Sequence, residues 1–254
     1  MEKYAVFIDI DGTLADMDGV NPKNKDAIKK AREKGHYIFI NTARARSYTR
    51  PDLWGNIEFD GVVSGIGSNI EVSGKTVFEK YIEKNVVHEC VKHFFNTKNG
   101  FLVSGAEKGF ILNPTHAFEG WDFGKIENPE DFLDINNDLK IQKIEIFGET
   151  ISDGDKAFLE KRLALYDHGK YIECGRRDCT KASGMDVALK YLGIEKKNSI
   201  VIGDSVNDMD MLKNAGIAVA VGNAVDAVKS IADFVSTDCG DGGVAYAIEE
   251  LLLK

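Results

Sequence analysis

The chain has 254 residues, and 32 Lys and Arg stand against 41 Asp and Glu, a formal net charge of −9. With 43% hydrophobic and 29% charged residues the balance is globular, which excludes a disordered chain. The acidic excess excludes a general nucleic-acid binder, which would show a basic face, but not an anionic substrate held in a locally positive pocket. In chain order, Tyr4-Ala5-Val6-Phe7-Ile8 is an apolar run of the buried parallel-strand type. A helix follows, with Asn21 as its cap and Pro22 at the first position, where the missing N–H costs nothing. Ala27, Ile28 and Ala31 form its apolar stripe, and Gly35 ends it. Strands are expected at 36–41 and 59–64. Strands separated by helices pair in parallel through right-handed crossovers.

The middle of the chain changes character. It predicts a helix over 85–97, a hairpin of 101–104 with 108–112 around Gly105, and a strand over 140–147. A helix over 154–165 and a short extended piece at 170–174 complete it. The last part returns to the first pattern, with helix 185–192, strand 199–203, helix 208–214 before Gly216, strand 217–221, and helices 223–232 and 244–253. The expected fold class is therefore α/β, a Rossmann-like three-layer core with a parallel sheet. Residues 1–80 and 178–254 build that core, and an α+β domain is inserted at 81–177.

Apolar runs such as 4–8 and 37–40 fall far short of the roughly 20 residues that span a bilayer. Asp9 interrupts the first run, so no secretory signal core is seen. The four cysteines, Cys90, Cys174, Cys179 and Cys239, form no C-x-x-C pair, and reduced thiols are expected. A cytoplasmic monomer with neither membrane nor nucleic acid as partner is the expectation.

Four segments carry chemistry. Asp9-Ile10-Asp11-Gly12-Thr13-Leu14 directly follows the first strand, and on an extended chain the two carboxylates face one spot. Ligands of open α/β sheets bind beyond the carboxyl ends of strands, where this pair sits. Two close carboxylates repel unless one is protonated or a cation lies between them. Gly203-Asp204-Ser205-Val206-Asn207-Asp208 repeats the placement after strand 199–203. A capping role covers one of its polar residues but not three in five. Asn41-Thr42-Ala43-Arg44 follows another strand, where a hydroxyl and free N–H groups suit a phosphate. Lys181 stands just before a helix starting near Ser183, a place where a lysine is ordinarily solvated.

In this order the four segments resemble the motifs of the haloacid dehalogenase superfamily, and in particular its Cof-like phosphatases with a type IIB cap. Met209-Asp210-Met211-Leu212, Val219-Ala220-Val221-Gly222-Asn223-Ala224 and Asp241-Gly242-Gly243-Val244 match that branch as well. The resemblance implies that Asp9 is the nucleophile that forms an aspartyl-phosphate and that Asp11 is the acid and then the base. It implies Mg²⁺ held by Asp9, the backbone carbonyl of Asp11, and Asp204, with Asp208 in support. Thr42, the Ala43 N–H, Lys181 and Asn207 would bind the phosphoryl oxygens. The implied activity is hydrolysis of a small phosphorylated metabolite such as a sugar phosphate, with the inserted domain as the cap that selects it.

The chain departs from the family pattern in three places. Ala43 stands where Gly is usual, Gly65-Ile66-Gly67-Ser68-Asn69 replaces an Asn-Gly-Ala turn, and Gly184 follows Lys181 by three residues instead of one. Ser73-Gly74-Lys75-Thr76 ends like a P-loop, but its first glycine would fall at Asn69. His88 and His93 lie five apart and do not share a helix face, and His88 is expected at the surface. Trp54, Trp121 and Phe94-Phe95 are expected in the core, and Arg176 and Arg177 are expected as a solvated pair. Two other readings are a phosphosugar mutase of related architecture and a non-catalytic metabolite binder. Asp9, Asp11, Lys181 and Asp204 together argue against the binder, which would need neither nucleophile nor acid.

Overall fold

In the computed structural model, which describes residues 2–113, 122–130, 132, 139–148 and 151–254, the first apolar run forms strand β1 (Ala5–Ile8), buried along its whole length. A short hairpin of β2 (Ala15–Asp16) and β3 (Gly19–Val20) leads to helix α1 (Pro22–Glu33). The Asn21 side chain accepts a hydrogen bond from Lys23 N and so caps that helix, as the sequence predicts. Strands β4 (Tyr37–Asn41), β5 (Gly61–Ser64), β6 (Asn69–Val72) and β7 (Lys75–Glu79) follow. Next come helix α2 (Lys84–Phe94), strands β8 (Gly100–Gly105), β9 (Gly109–Leu112), β10 (Gly124–Lys125) and β11 (Ile141–Phe147), helix α3 (Asp153–Glu160), and strands β12 (Ala164–Asp167) and β13 (Tyr171–Gly175). The chain ends with α4 (Lys181–Leu192), β14 (Ser199–Gly203), α5 (Met209–Asn214), β15 (Ile217–Ala220), α6 (Asp226–Lys229), β16 (Phe234–Val235) and α7 (Gly243–Ile248).

The chain divides into two compact units. Met1–Ala43, Thr49–Glu79 and Thr180–Lys254 form the first; Arg44–Tyr48 and Lys80–Cys179 form the second. The first unit holds an eight-stranded sheet in the order β16-β15-β14-β1-β4-β5-β6-β7. Its strands are parallel from β16 to β5, and a core of β1, β4, β14 and β15 side chains packs between helices on both faces. At the other edge β6 and β7 are antiparallel, which the expectation of a parallel sheet did not include. Their connection is Ser73-Gly74, and both residues have positive φ, 50° and 74°, as a two-residue hairpin turn requires. The segment that ends like a P-loop is thus a hairpin turn.

The second unit is a six-stranded sheet in the order β10-β9-β8-β11-β13-β12. Helices α2 and α3 supply Val87, Cys90, Val91, Phe94 and Leu159 to an apolar core with Phe101, Val103, Ile144, Ile146, Ile172 and Cys174. The expected helix over 154–165 stops at Glu160, and Ala164–Asp167 is a strand instead. Its antiparallel pairing with β13, closed by a turn with Gly169 at φ 80°, overrides the helical spacing of its side chains. The expected helix over 223–232 shrinks to Asp226–Lys229, because the Asn223 amide is engaged with Gly12 O at 2.8 Å and Cys239 N at 2.7 Å.

Trp54 and Phe94 are buried as expected, and Phe95 packs partly buried against the second core; Trp121 lies outside the described residues. His88 is half-buried, with Nε2 at 3.8 Å from Glu130, so it is not a plain surface residue. Arg176 is likewise not simply solvated: it donates to Asp178 at 2.8 and 3.0 Å and to Tyr81 O at 2.9 Å, whereas Arg177 is exposed. The four cysteines are free and buried. Among the described residues no helix is long and apolar enough to cross a membrane.

Candidate active site

The register of the parallel strands brings three of the four segments to one end of the sheet. Ile8 of β1 pairs with Ile202 of β14 on one side and Ile40 of β4 on the other. The next residues along the chain are then Asp9, Gly203-Asp204 and Asn41-Thr42. Asp9 N donates to Ile202 O at 3.1 Å, which extends the ladder to Asp9 itself.

Lys181 completes the arrangement. A Thr180–Ser183 capping box starts α4 at Lys181, two residues earlier than the sequence predicts, so the lysine belongs to the first helical turn. Its side chain is fully buried, although a lysine at such a place is ordinarily solvated. Nζ donates to Asp9 Oδ1 at 2.6 Å, Asp208 Oδ1 at 2.7 Å and Asn207 Oδ1 at 3.3 Å. A buried ammonium with these acceptors is stable only because the carboxylates offset its desolvation. Asp208, also buried, uses its second oxygen to accept from the N–H groups of Asp204 (3.0 Å) and Ser205 (3.1 Å). Both its oxygens are therefore committed, one to the lysine and one to the loop that presents Asp204.

Asp9, Asp204 and Asp208 each place a carboxylate oxygen within 4.8 Å of the others. Asp11 is exposed, and its carboxylate lies outside this group. Thr42 is buried, but its N–H donates to Val63 O at 2.9 Å and continues the β4–β5 ladder, so that donor is not the free N–H expected of the turn. Ala43 is buried and has no positive φ, so alanine at the usual glycine position imposes no backbone strain.

Two residues missed as functional support this group. Thr13 Oγ1 donates to Asp204 Oδ1 at 2.7 Å and orients that carboxylate. Gly12, at φ 82°, passes so close that a Cβ there would lie 2.7 Å from Asp204 Oδ2. The signal for both was present in the Asp9–Leu14 motif, but contact with a residue so distant in sequence is not readable from spacing.

The electrostatics are unbalanced. Burial first, then Asp208, Asp11 and Asp204, push the Asp9 carboxyl well above the ordinary range, against the pull of Lys181. Burial and Asp208 raise Asp204 to about 6. Lys181 is itself held above its usual value, since Asp208 and Asp9 outweigh its desolvation. One ammonium thus faces three clustered carboxylates, and the remaining negative charge is what a cation would offset. Hard oxygen donors of this kind suit a divalent cation, so the residues fit such an ion.

A family model for haloacid dehalogenase-like hydrolases matches residues 6–248. The chain is 28% identical to 5-amino-6-(5-phospho-D-ribitylamino)uracil phosphatase YcsE of Bacillus subtilis, with 98% of this chain and 95% of that one covered. It is 29% identical to a phosphoglycolate phosphatase of Methanobrevibacter smithii, with 98% of each covered. Among solved structures, a haloacid dehalogenase-like hydrolase from B. subtilis has a TM-score of 0.87 at 21% identity, covering 98% of this chain and 100% of that chain. A haloacid dehalogenase subclass IIB sugar phosphatase has a TM-score of 0.84 at 21% identity, covering 97% and 98%. A match across nearly the whole chain, together with four ordered motifs of which three meet at one end of the sheet and the fourth reaches in through Lys181, settles the family. The chain belongs to the haloacid dehalogenase-like hydrolases and is a phosphatase of their Cof-like branch.

Proposed function

We propose that the protein is a Mg²⁺-dependent phosphatase that hydrolyses a small phosphorylated metabolite, a sugar phosphate in particular, through an aspartyl-phosphate on Asp9. The observation that carries this reading is the buried Lys181 bridging Asp9 and Asp208, at 2.6 and 2.7 Å, inside a cluster with surplus negative charge. A lone nucleophilic carboxylate repels a phosphate dianion; one paired with a buried ammonium does not.

In this reading Asp9 Oδ attacks phosphorus while Asp11, exposed at the mouth of the site, gives a proton to the departing oxygen. Asp11 then takes the proton of the water that hydrolyses the aspartyl-phosphate. Lys181, Asn207, Thr42 and the Ala43 N–H hold the phosphoryl oxygens. Asp9, the Asp11 carbonyl and Asp204 would hold Mg²⁺, which supplies positive charge to the transferring phosphoryl group. Asp208, with both oxygens committed, fixes Lys181 and the Asp204 loop and supports that set from behind. Thr13 keeps Asp204 aimed. The insertion expected at 81–177, which falls inside the second unit, is read as the cap that selects the alcohol part of the substrate. The metabolites named for the two relatives, a phosphorylated ribitylaminouracil and phosphoglycolate, and the sugar phosphatase among the structural neighbours support a small phosphomonoester as substrate. A monomer acting in the cytoplasm completes the reading.

The test is a screen of phosphorylated metabolites for release of inorganic phosphate, with and without Mg²⁺. Release that needs Mg²⁺ and no bisphosphate activator supports hydrolysis. Transfer of the phosphoryl group back to a sugar hydroxyl would support the mutase instead.

A further inference from the structure

Strand β4 is apolar and buried through Ile38, Phe39 and Ile40, and then ends on a fully buried asparagine, Asn41. Its Nδ2 donates to the backbone carbonyl of Lys181 at 3.0 Å and to Met211 Sδ at 3.3 Å. Its Oδ1 has no hydrogen-bond partner among the described residues. A buried polar side chain left half unsatisfied costs stability that an apolar residue of similar volume would not. Asn41 is therefore poorly explained as a stabilising core residue.

Its contacts explain it better. The first turn of α4 carries Lys181, α5 follows directly on Asp208 and carries Met211, and the residue after Asn41 is Thr42. One carboxamide thus ties the strand that presents Thr42 to the helix that presents Lys181 and to the helix after Asp208. A lysine side chain has a flexible stem, so the reach of Nζ to Asp9 and Asp208 depends on where its main chain is held. We propose that Asn41 is a positioning residue for the phosphatase reaction: through the Lys181 carbonyl it sets the lysine ammonium in register with the Thr42 turn. This rests on the role of Lys181 in the proposed function. Asn41 touches no reacting atom and acts only through Lys181.

The test is a double-mutant cycle of Asn41→Leu and Lys181→Ala in the full chain, assayed with 4-nitrophenyl phosphate and with inorganic phosphate as competitive inhibitor. Asn41→Leu is expected to melt at or above the parental temperature, to lose about tenfold or more in kcat/KM, and to bind inorganic phosphate more weakly. In the Lys181→Ala background the same leucine is expected to cost less than about twofold, because the group it positions is gone. If the leucine variant does not fold, Asn41→Ala, which removes the donor without adding bulk, takes its place in the cycle with the same expectation for kcat/KM and phosphate inhibition. Losses that multiply independently, or an Asn41→Leu enzyme within about twofold of parent with unchanged phosphate inhibition, would overturn the proposal. A Lys181→Ala enzyme with parental turnover would instead overturn the role of Lys181, and this inference with it.

Discussion

Each unit of the molecule buries one lysine between two carboxylates, and the two clusters differ in what is left over. In the second unit Lys143 Nζ lies 2.6 Å from Glu173 and 3.0 Å from Glu145, and His168 Nε2 lies 3.0 Å from the other oxygen of Glu173. In the first unit Lys181 holds Asp9 and Asp208 at nearly the same distances, but Asp204 joins them and Asp11 stands nearby. The Lys143 network is closed by hydrogen bonds: Glu173 meets the lysine with one oxygen and His168 with the other, and Glu145 meets the lysine and, at 3.5 Å, accepts from the Ser104 hydroxyl. The Lys181 cluster is open and carries surplus negative charge. A buried ion pair is therefore no sign of chemistry by itself; an unbalanced one at the carboxyl end of parallel strands is.

The largest effect that separates the clusters is the loss of Asp9. Asp9→Asn should reduce Mg²⁺-dependent phosphate release by about 10⁴-fold or more, since the amide neither attacks nor offers a charge. Wild-type turnover in that variant would remove the open cluster from the reaction. Asp11→Asn should cost about 10²–10⁴-fold, most severely with a sugar phosphate, whose alkoxide must be protonated to leave. Equal slowing of the first step with an aryl phosphate and a sugar phosphate would take Asp11 out of the acid–base role.

Smaller effects appear in stability. Lys143→Met leaves two buried carboxylates facing one another and should cost about 3–5 kcal/mol in denaturant unfolding, with or without Mg²⁺. Mg²⁺ at about 100 times its dissociation constant should add about 2.7 kcal/mol to the parent and to Lys143→Met alike, and almost nothing to Asp204→Asn. A metal increment that vanishes with Lys143 would move the cation to the wrong cluster.

The smallest effect is in pH. Despite burial, Lys143 and His168 hold the Glu173 carboxyl well below the usual carboxylate range. A depressed folded-state pKa gives stability that is present above the unfolded value and lost as pH falls below it. The stability gap between parent and Glu173→Gln should then narrow from about pH 5 to about pH 3, by at most about 1.4 kcal/mol per pH unit. Glu145, which burial and then Glu173 push up against the pull of Lys143, acts in the opposite sense and relaxes toward its ordinary value in Glu173→Gln, so the gap reports the two carboxyls together. A gap that stays constant over that range would contradict the depressed carboxyl.

The strand–helix grammar of the first unit was readable because each element carries a local signal, such as the Asn21 cap, Pro22 and the apolar run of β1. Strand 199–203 was placed to the residue. Strand β12 was not, because Ala164–Asp167 has helical spacing and becomes a strand only by pairing with β13. At the site, Asp9, Asp204 and Thr42 stood out because they directly follow strands. The burial of Lys181 did not, since it depends on a helix that starts two residues early and on carboxylates more than 20 positions away. The Lys143 network was not legible at all: Lys143, Glu145 and Glu173 look like solvent-facing positions of alternating strands until the fold buries them.

The central claim is that Asp9 is phosphorylated during turnover. The direct measurement is to mix the Asp11→Asn variant with Mg²⁺ and an aryl phosphate, quench in acid, and map the phosphorylated residue by mass spectrometry. The aryl phosphate needs little proton donation to react, and the intermediate persists because the attacking water lacks its base. A stoichiometric phosphoryl group on the peptide containing Asp9, absent when Asp9 is also Asn, is the predicted result. Phosphate release without any phosphorylated Asp9, or a phosphoryl group on another residue, would contradict the account.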